Sequence, residues 1–262
     1  MLRVRDLTVA YNKRSTEDPI LRKLNLELNQ EKAVIVGPNG SGKSTLFKAI
    51  LGLAPISGGA VKLFGIDAMS ERQDTRVSTN LAEVYRIAYV RVRDLVSIFA
   101  ELKGGNPQET LGMFRDFELE SILGKKVHEL STGQAKMFGN ILAVCFSPKL
   151  ILLDEPFDNV DNRRRRRFIE ILRGLDVETV IITHEFNLLQ RLGDWGLYSM
   201  LEGRLWGKFS VSQLDRLFIT RGDMRDALGV MDTSLGKLSV TLDHGDIAVK
   251  TARSLNAVLG EV

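Results

Sequence analysis

The sequence predicts an α/β fold built on a mostly parallel sheet. Three observations predict it. Apolar runs at Ala33–Val36, Leu150–Leu153 and Val180–Thr183 lack the polar alternation of half-exposed strands, as strands buried on both faces do. The first run leads into Gly37-Pro38-Asn39-Gly40-Ser41-Gly42-Lys43-Ser44-Thr45, which fits G-x-x-x-x-G-K-[ST]. That loop is followed by Thr45–Leu51 with helical spacing, so the context is strand, loop, helix.

The glycine-rich stretch has a specific chemistry. Glycines let successive backbone N–H groups turn inward as an anion nest. The helix N-terminus adds a positive dipole end. Lys43 supplies a point charge for the outer phosphates of a nucleotide, and Ser44 a hydroxyl for Mg²⁺. The core is therefore expected to be of the P-loop NTPase kind.

In chain order, Leu2 to Ala10 alternates partly and reads as an edge-type strand ending at Tyr11. Asn12 to Pro19 is polar and reads as a loop. Leu24-Asn25-Leu26-Glu27-Leu28 alternates strictly and predicts a half-buried antiparallel strand. Ala54-Pro55-Ile56-Ser57-Gly58-Gly59 reads as a turn cluster, and Ala60 to Gly65 as another strand. These segments make a small antiparallel β subdomain beside the core. From Leu81 to Pro148 the pattern is helical: Val92, Leu95, Val96 and Phe99 share one face, as do Leu111, Phe114 and Phe117. Gly104-Gly105-Asn106-Pro107 separates these two helices, and Ser131 is a candidate N-cap for a later one. Leu197–Met200 reads as a further core strand, with a turn at Glu202-Gly203-Arg204. Beyond Ser210, Leu238–Leu242 alternates and Ile247–Leu259 has an amphipathic pattern. This region is either a small appended β/α unit or padding of the core. The expected division is a core of residues 1–80 and 149–209, an inserted helical subdomain of 81–148, and a C-terminal extension of 210–262.

Composition narrows the classes. The chain has 262 residues, enough for a large core with a subdomain. No apolar run approaches the roughly 20 residues that span a bilayer. Met1–Asp6 lacks the apolar segment of a signal peptide, so the protein is expected to stay where it is made. A single cysteine, Cys145, excludes an internal disulfide and a cysteine zinc cluster; its apolar neighbours suggest a buried, inert thiol. A net charge of +3 does not argue for nucleic acid. The run Arg163–Arg167 reads as a solvated helix face, without the nearby aromatics that base stacking needs. His128 and His244 read as surface or structural residues.

Four more constellations follow the phosphate loop in order: Leu130-Ser131-Thr132-Gly133-Gln134, Asp154-Glu155, Asp158-Asn159-Val160-Asp161, and His184. With these, residues 1–209 resemble the ATP-binding-cassette (ABC) ATPases. The resemblance implies that Tyr11 stacks on adenine, and that Gly37, Asn39, Gly40, Ser41, Gly42, Lys43, Ser44 and Thr45 hold the phosphates. It implies that Ser44 and Asp154 hold Mg²⁺, that Glu155 polarises the attacking water, and that His184 contacts the γ-phosphate. Ser131, Gly133 and Gln134 would meet the ATP of an opposite subunit, with Asp161 in the loop that crosses the dimer seam. Asn80 stands where the family has a glutamine that links Mg²⁺ and water to the helical subdomain; it keeps the amide but is one methylene shorter. Thr132 replaces the first signature glycine, and Ala135-Lys136-Met137 replaces an arginine-rich stretch.

One phosphate loop and one signature cannot build two complete sites. The resemblance therefore implies head-to-tail pairing with a second ABC ATPase subunit, identical or related, around ATP and Mg²⁺. The leading function is the ATP-hydrolysing subunit of a membrane transporter, cytoplasmic and peripheral on the inner face of the membrane. A separate transmembrane permease subunit would dock near Leu81–Phe99, and nucleic acid is not an expected partner. The alternatives are a soluble ABC ATPase of iron–sulfur assembly, translation or DNA repair, and a non-enzymatic nucleotide-responsive module. Intact Glu155 and His184 argue against the last.

Overall fold

The computed structural model describes residues 1–11, 19–70, 74–85, 89–234 and 236–249. Most of the expected loop at 12–19 and most of the amphipathic pattern at 247–259 lie outside the described residues. In chain order the strands are β1 Leu2–Val9, β2 Leu21–Leu28, β3 Lys32–Val36, β4 Ile56–Leu63, β5 Ile66–Asp67, β6 Val77–Thr79 and β7 Leu150–Asp154. They continue as β8 Glu178–Ile182, β9 Gly196–Leu201, β10 Arg204–Ser210, β11 Leu217–Arg221, β12 Gly229–Thr233, β13 Gly236–Leu242 and β14 Ile247–Ala248. The helices are α1 Lys43–Ile50, α2 Ala82–Tyr85, α3 Val92–Lys103, α4 Pro107–Asp116, α5 Thr132–Val144, α6 Asn162–Gly174 and α7 Phe186–Leu189. The class is α/β, with mostly parallel core strands and separate antiparallel sheets. Among the described residues no helix is long and apolar enough to cross a membrane.

Two compact units emerge, Met1–Arg72 with Ile182–Val262, and Gln73–Ile181. The expected helical subdomain of 81–148 thus shares its unit with β6, β7 and most of β8. The reason is packing: α5 lies on β6 and β7 through a nearly all-buried run from Met137 to Val144.

In the first unit, an antiparallel sheet has the order β2-β1-β4-β5. β1 is therefore an interior strand and not an edge strand, because β4 pairs along its other side from Leu2↔Leu63 to Val9↔Ile56. The expected turn at Ile56–Gly59 belongs to β4. Gly59 serves a close approach instead: a Cβ there would lie 2.3 Å from the Arg5 and Asp6 carbonyl oxygens, where the β1 register shifts. β3 runs parallel to β9, and β10 closes antiparallel on β9. The turn between β9 and β10 has positive φ at both central residues, Glu202 and Gly203, as a tight two-residue hairpin requires. The extension beyond Ser210 is largely β: an antiparallel sheet of order β12-β13-β11-β14, of which β13 alone was expected from the pattern.

In the second unit β6 and β7 pair in parallel, Val77↔Leu150 to Thr79↔Leu152. Leu150 to Leu153 are fully buried, which explains the absence of alternation. Phe114 and Phe138 fill the centre of the helical part, with Tyr85 edge-on to Phe138 at 5.3 Å. The arginine run is only partly a solvated face. Arg163 pairs with Glu118 at 2.6 Å. Arg164 donates to the Phe117 and Glu118 carbonyls at 2.8 and 3.1 Å. Arg167 donates to the Asp116 carbonyl at 2.6 Å. The run therefore pins α6 to the corner that follows α4.

Candidate functional site

The first unit carries Tyr11, the phosphate loop and His184. β3 is buried from Ala33 onward and delivers the loop at its C-terminal end. Helix α1 begins behind Gly42, which has φ 103° and so suits glycine alone. α1 buries Leu46, Phe47, Ala49 and Ile50 and leaves Ser44 exposed at its first turn. The loop is packed from behind by the end of β9: a Cβ on Gly37 would lie 2.1 Å from the Met200 carbonyl oxygen. The β9–β10 turn secures it further, with the Gly203 N–H donating to the Ser41 carbonyl at 3.0 Å. Lys43 is buried, and its ammonium donates to the Gly37 and Pro38 carbonyls at 2.7 and 2.9 Å. The cation is thereby held inside the loop. Ser41 is 4% exposed, and its Oγ has no hydrogen-bond partner among the described residues. A buried hydroxyl left so costs about 1–3 kcal/mol, which an oxyanion at the nest would relieve.

Thr183 donates its N–H to the Ile35 carbonyl at 3.2 Å. The segment bearing His184 therefore starts beside the strand that delivers the phosphate loop. His184 is exposed while Thr183 is fully buried. Tyr11 lies two residues beyond the end of β1 and is 54% exposed, an open ring of the kind that stacks on a base.

The second unit carries Asn80, Ser131, Gly133, Gln134, Asp154, Glu155 and Asp161. Ser131 caps α5 as expected and forms a full capping box. Its Oγ accepts from the Gln134 N–H at 3.3 Å, and the Gln134 side chain accepts from the Ser131 N–H at 3.1 Å. Gln134 is thus a cap residue that shapes the helix start. Gly133 meets the Asp158–Asp161 loop, since a Cβ there would lie 2.3 Å from the Asn159 carbonyl oxygen. Asp161 caps α6 by accepting from the Arg163 and Arg164 N–H groups. Burial alone would raise its carboxyl pKa. The Arg164 N–H, the Arg164 guanidinium at 2.7 Å and the Arg163 N–H outweigh that and hold it below the ordinary carboxylate value.

Asn80, expected near the metal, lies just beyond β6. It is 2% exposed, and both amide hydrogens are engaged, on the Asn140 Oδ1 at 2.8 Å and the Asp154 carbonyl at 3.1 Å. Its Oδ1 accepts from the Asp154 N–H at 2.7 Å. The short side chain is engaged in bracing the end of β7. Asn140 was missed in the sequence. Its signal was a lone amide in the apolar run Met137–Val144, where a buried polar group needs a partner. Lys136, noticed there only as a departure, donates to the Asp154 carbonyl at 3.0 Å. Cys145, expected as a buried thiol, is half-buried, and the burial it has pushes its thiol up to about 11.

Comparison with known proteins agrees with this arrangement. The family model described as ABC transporter matches residues 21–158. The sulfate/thiosulfate import ATP-binding protein CysA of Nephroselmis olivacea is 34% identical over 63% of this chain and 51% of its own length. The chain therefore spans about half of that relative. A crystal structure of a protein assigned to cobalt transport as an ATP-binding protein superposes with a TM-score of 0.91, at 35% identity and over 100% of both chains. A dimeric ATP-binding cassette in a post-hydrolysis state, bound to ADP and Pi, shares the fold at a TM-score of 0.69 and 22% identity, over 80% of this chain and 99% of that one. The match to the family model covers more than half of the sequence, and the chain belongs to the ABC transporter family.

Proposed function

We propose that this chain, an ATP-hydrolysing subunit of an ABC transporter, works head-to-tail with a second ABC ATPase subunit. The observation that carries the reading is the phosphate loop: a buried lysine, Gly40 and Gly42 with left-handed backbone, and a buried Ser41 hydroxyl without a partner among the described residues form a donor set for an oxyanion.

In this reading the loop holds the β- and γ-phosphates, and Tyr11 carries the base. Ser44 and Asp154 are hard oxygen donors of the type that suits Mg²⁺. When bound, the ion neutralises charge on the phosphates. Glu155 orients a water and accepts its proton as the water oxygen bonds to the γ-phosphorus. The bond to the leaving oxygen breaks with its electron pair staying on ADP, giving ADP and inorganic phosphate. His184 donates to the γ-phosphate, and the capped start of α5, with Ser131 and Gly133, supplies donors to the ATP of the opposite subunit. Transport roles named for the relatives, such as sulfate/thiosulfate import and manganese transport, support a separate membrane-spanning partner and a place on the cytoplasmic face of the membrane.

The test is Glu155→Gln. Turnover should fall by roughly 100-fold or more, while ATP holds the variant as a dimer in size-exclusion chromatography. Wild-type turnover in that variant would defeat the assignment. Recovery of the tagged chain only with soluble proteins, and not with a multi-span membrane protein, would defeat the transporter partner.

A further inference from the structure

Glu155 has φ 45°, a left-handed backbone conformation that a non-glycine residue holds only when its surroundings over-determine it. The residues on both sides of it are gripped by two buried asparagines. The β6–β7 ladder ends at Thr79↔Leu152. Beyond it the Asn80 side chain behaves as one more peptide unit, accepting from the Asp154 N–H at 2.7 Å and donating to the Asp154 carbonyl at 3.1 Å. On the far side, Asn140 of α5 donates to the Pro156 carbonyl at 2.7 Å. The two asparagines are themselves joined, Asn80 Nδ2 to Asn140 Oδ1 at 2.8 Å. Asn140 is 0% exposed and Asn80 2% exposed, so no solvent competes for these bonds.

We propose that Asn140, acting with Asn80, is a positioning residue that fixes the strained Glu155 backbone and ties it to helix α5. This rests on the reading of Glu155 as the group that accepts the proton. α5 starts at the Ser131 cap and Gly133 and carries Asn140 about two turns later. The clamp makes the helix that meets a partner's nucleotide and the carboxylate that activates water parts of one rigid piece. An apolar residue at 140 would fill the core without holding Pro156, which gives the amide pair its purpose beyond packing.

The experiment compares the full-length wild type with Asn140→Leu, Asn140→Asp, Asn80→Ala, the Asn80→Ala/Asn140→Leu double variant and Glu155→Gln. Asn140→Leu should lower kcat by roughly 100-fold with KM for ATP nearly unchanged, the signature of a misplaced reacting group. The double variant should lose little more than the worse single one, because both belong to one device. Asn140→Asp keeps the acceptor for Asn80 but not the donor to Pro156, and should show the same kcat defect if Asn140→Leu does not fold. In the nucleotide-free protein, hydrogen exchange at Asp154 and Glu155 should quicken in each asparagine variant. Folded Asn140 variants with wild-type kcat and wild-type exchange, beside an inactive Glu155→Gln, would overturn the clamp alone. An active Glu155→Gln would overturn the reading beneath it, and the clamp with it.

Discussion

Replacing Gly133 by alanine sets two effects of known sign against each other. Gly133 is the second residue of α5 and has ordinary helical backbone, so alanine gains up to about 1 kcal/mol of helix propensity. Against this, the new Cβ would lie 2.3 Å from the Asn159 carbonyl oxygen, where real contacts stay beyond 3.0 Å. Either the helix start or the Asp158–Asp161 loop must therefore give by about 0.7 Å, a shift of the kind that costs about 1–3 kcal/mol on overpacking. The loop resists, because Asn159 has φ 57° and Asp161 is committed to capping α6. The clash wins, and Gly133→Ala should lose about 1 kcal/mol net. Gly112→Ala is the matched control: it lies inside α4, and its Cβ would meet nothing within 4 Å. It should gain about 0.5–1 kcal/mol. Urea denaturation of the two variants should separate them by about 2 kcal/mol, with ATPase impaired in Gly133→Ala alone. A stabilisation of Gly133→Ala equal to that of Gly112→Ala, with full ATPase, would refute the close contact and its consequence.

Two further outcomes follow from the same unit. Arg164→Ala should cost about 1–2 kcal/mol in denaturation, since its guanidinium serves two carbonyls and Asp161, whereas the exposed Arg166→Ala on the same helix should stay within about 0.5 kcal/mol. Equal effects would return the whole run to a solvated face. Burial pushes the Lys103 ammonium down to about 8, with Asp74 acting the other way, while it donates to the Thr75 and Val77 carbonyls and the Ser78 hydroxyl. A lysine in the unfolded chain titrates near 10.4, so between about 8 and 10.4 the unfolded chain holds more protons. The contribution of this group to stability therefore rises with pH across that window. Unfolding free energies at about pH 7.5 and about pH 9.5 should show wild type gaining on Lys103→Met; a constant or shrinking difference would contradict the burial.

What could be read from residues alone was local chemistry. The phosphate loop, the Ser131 cap and the apolar runs of β3, β7 and β8 announce themselves because each is a property of a few adjacent residues: a glycine's φ, a hydroxyl three positions from an N–H, the lack of alternation. Asn80 was placed correctly at the end of its strand, yet its use was not legible. Its partners, Asn140 and Asp154, lie 60 and 74 residues away.

The sequence by itself determined the nucleotide chemistry and the class of the fold, through motifs whose physics is short-ranged. Only the tertiary structure decided that β1 is an interior strand, that Gly58 and Gly59 lie within β4, that the arginines anchor a corner, and that two buried amides bond the backbone of Asp154 and Pro156 on either side of Glu155. Those outcomes depend on which distant segments pair, and pairing is settled by burial and hydrogen-bond satisfaction over the whole unit rather than by any neighbouring residue.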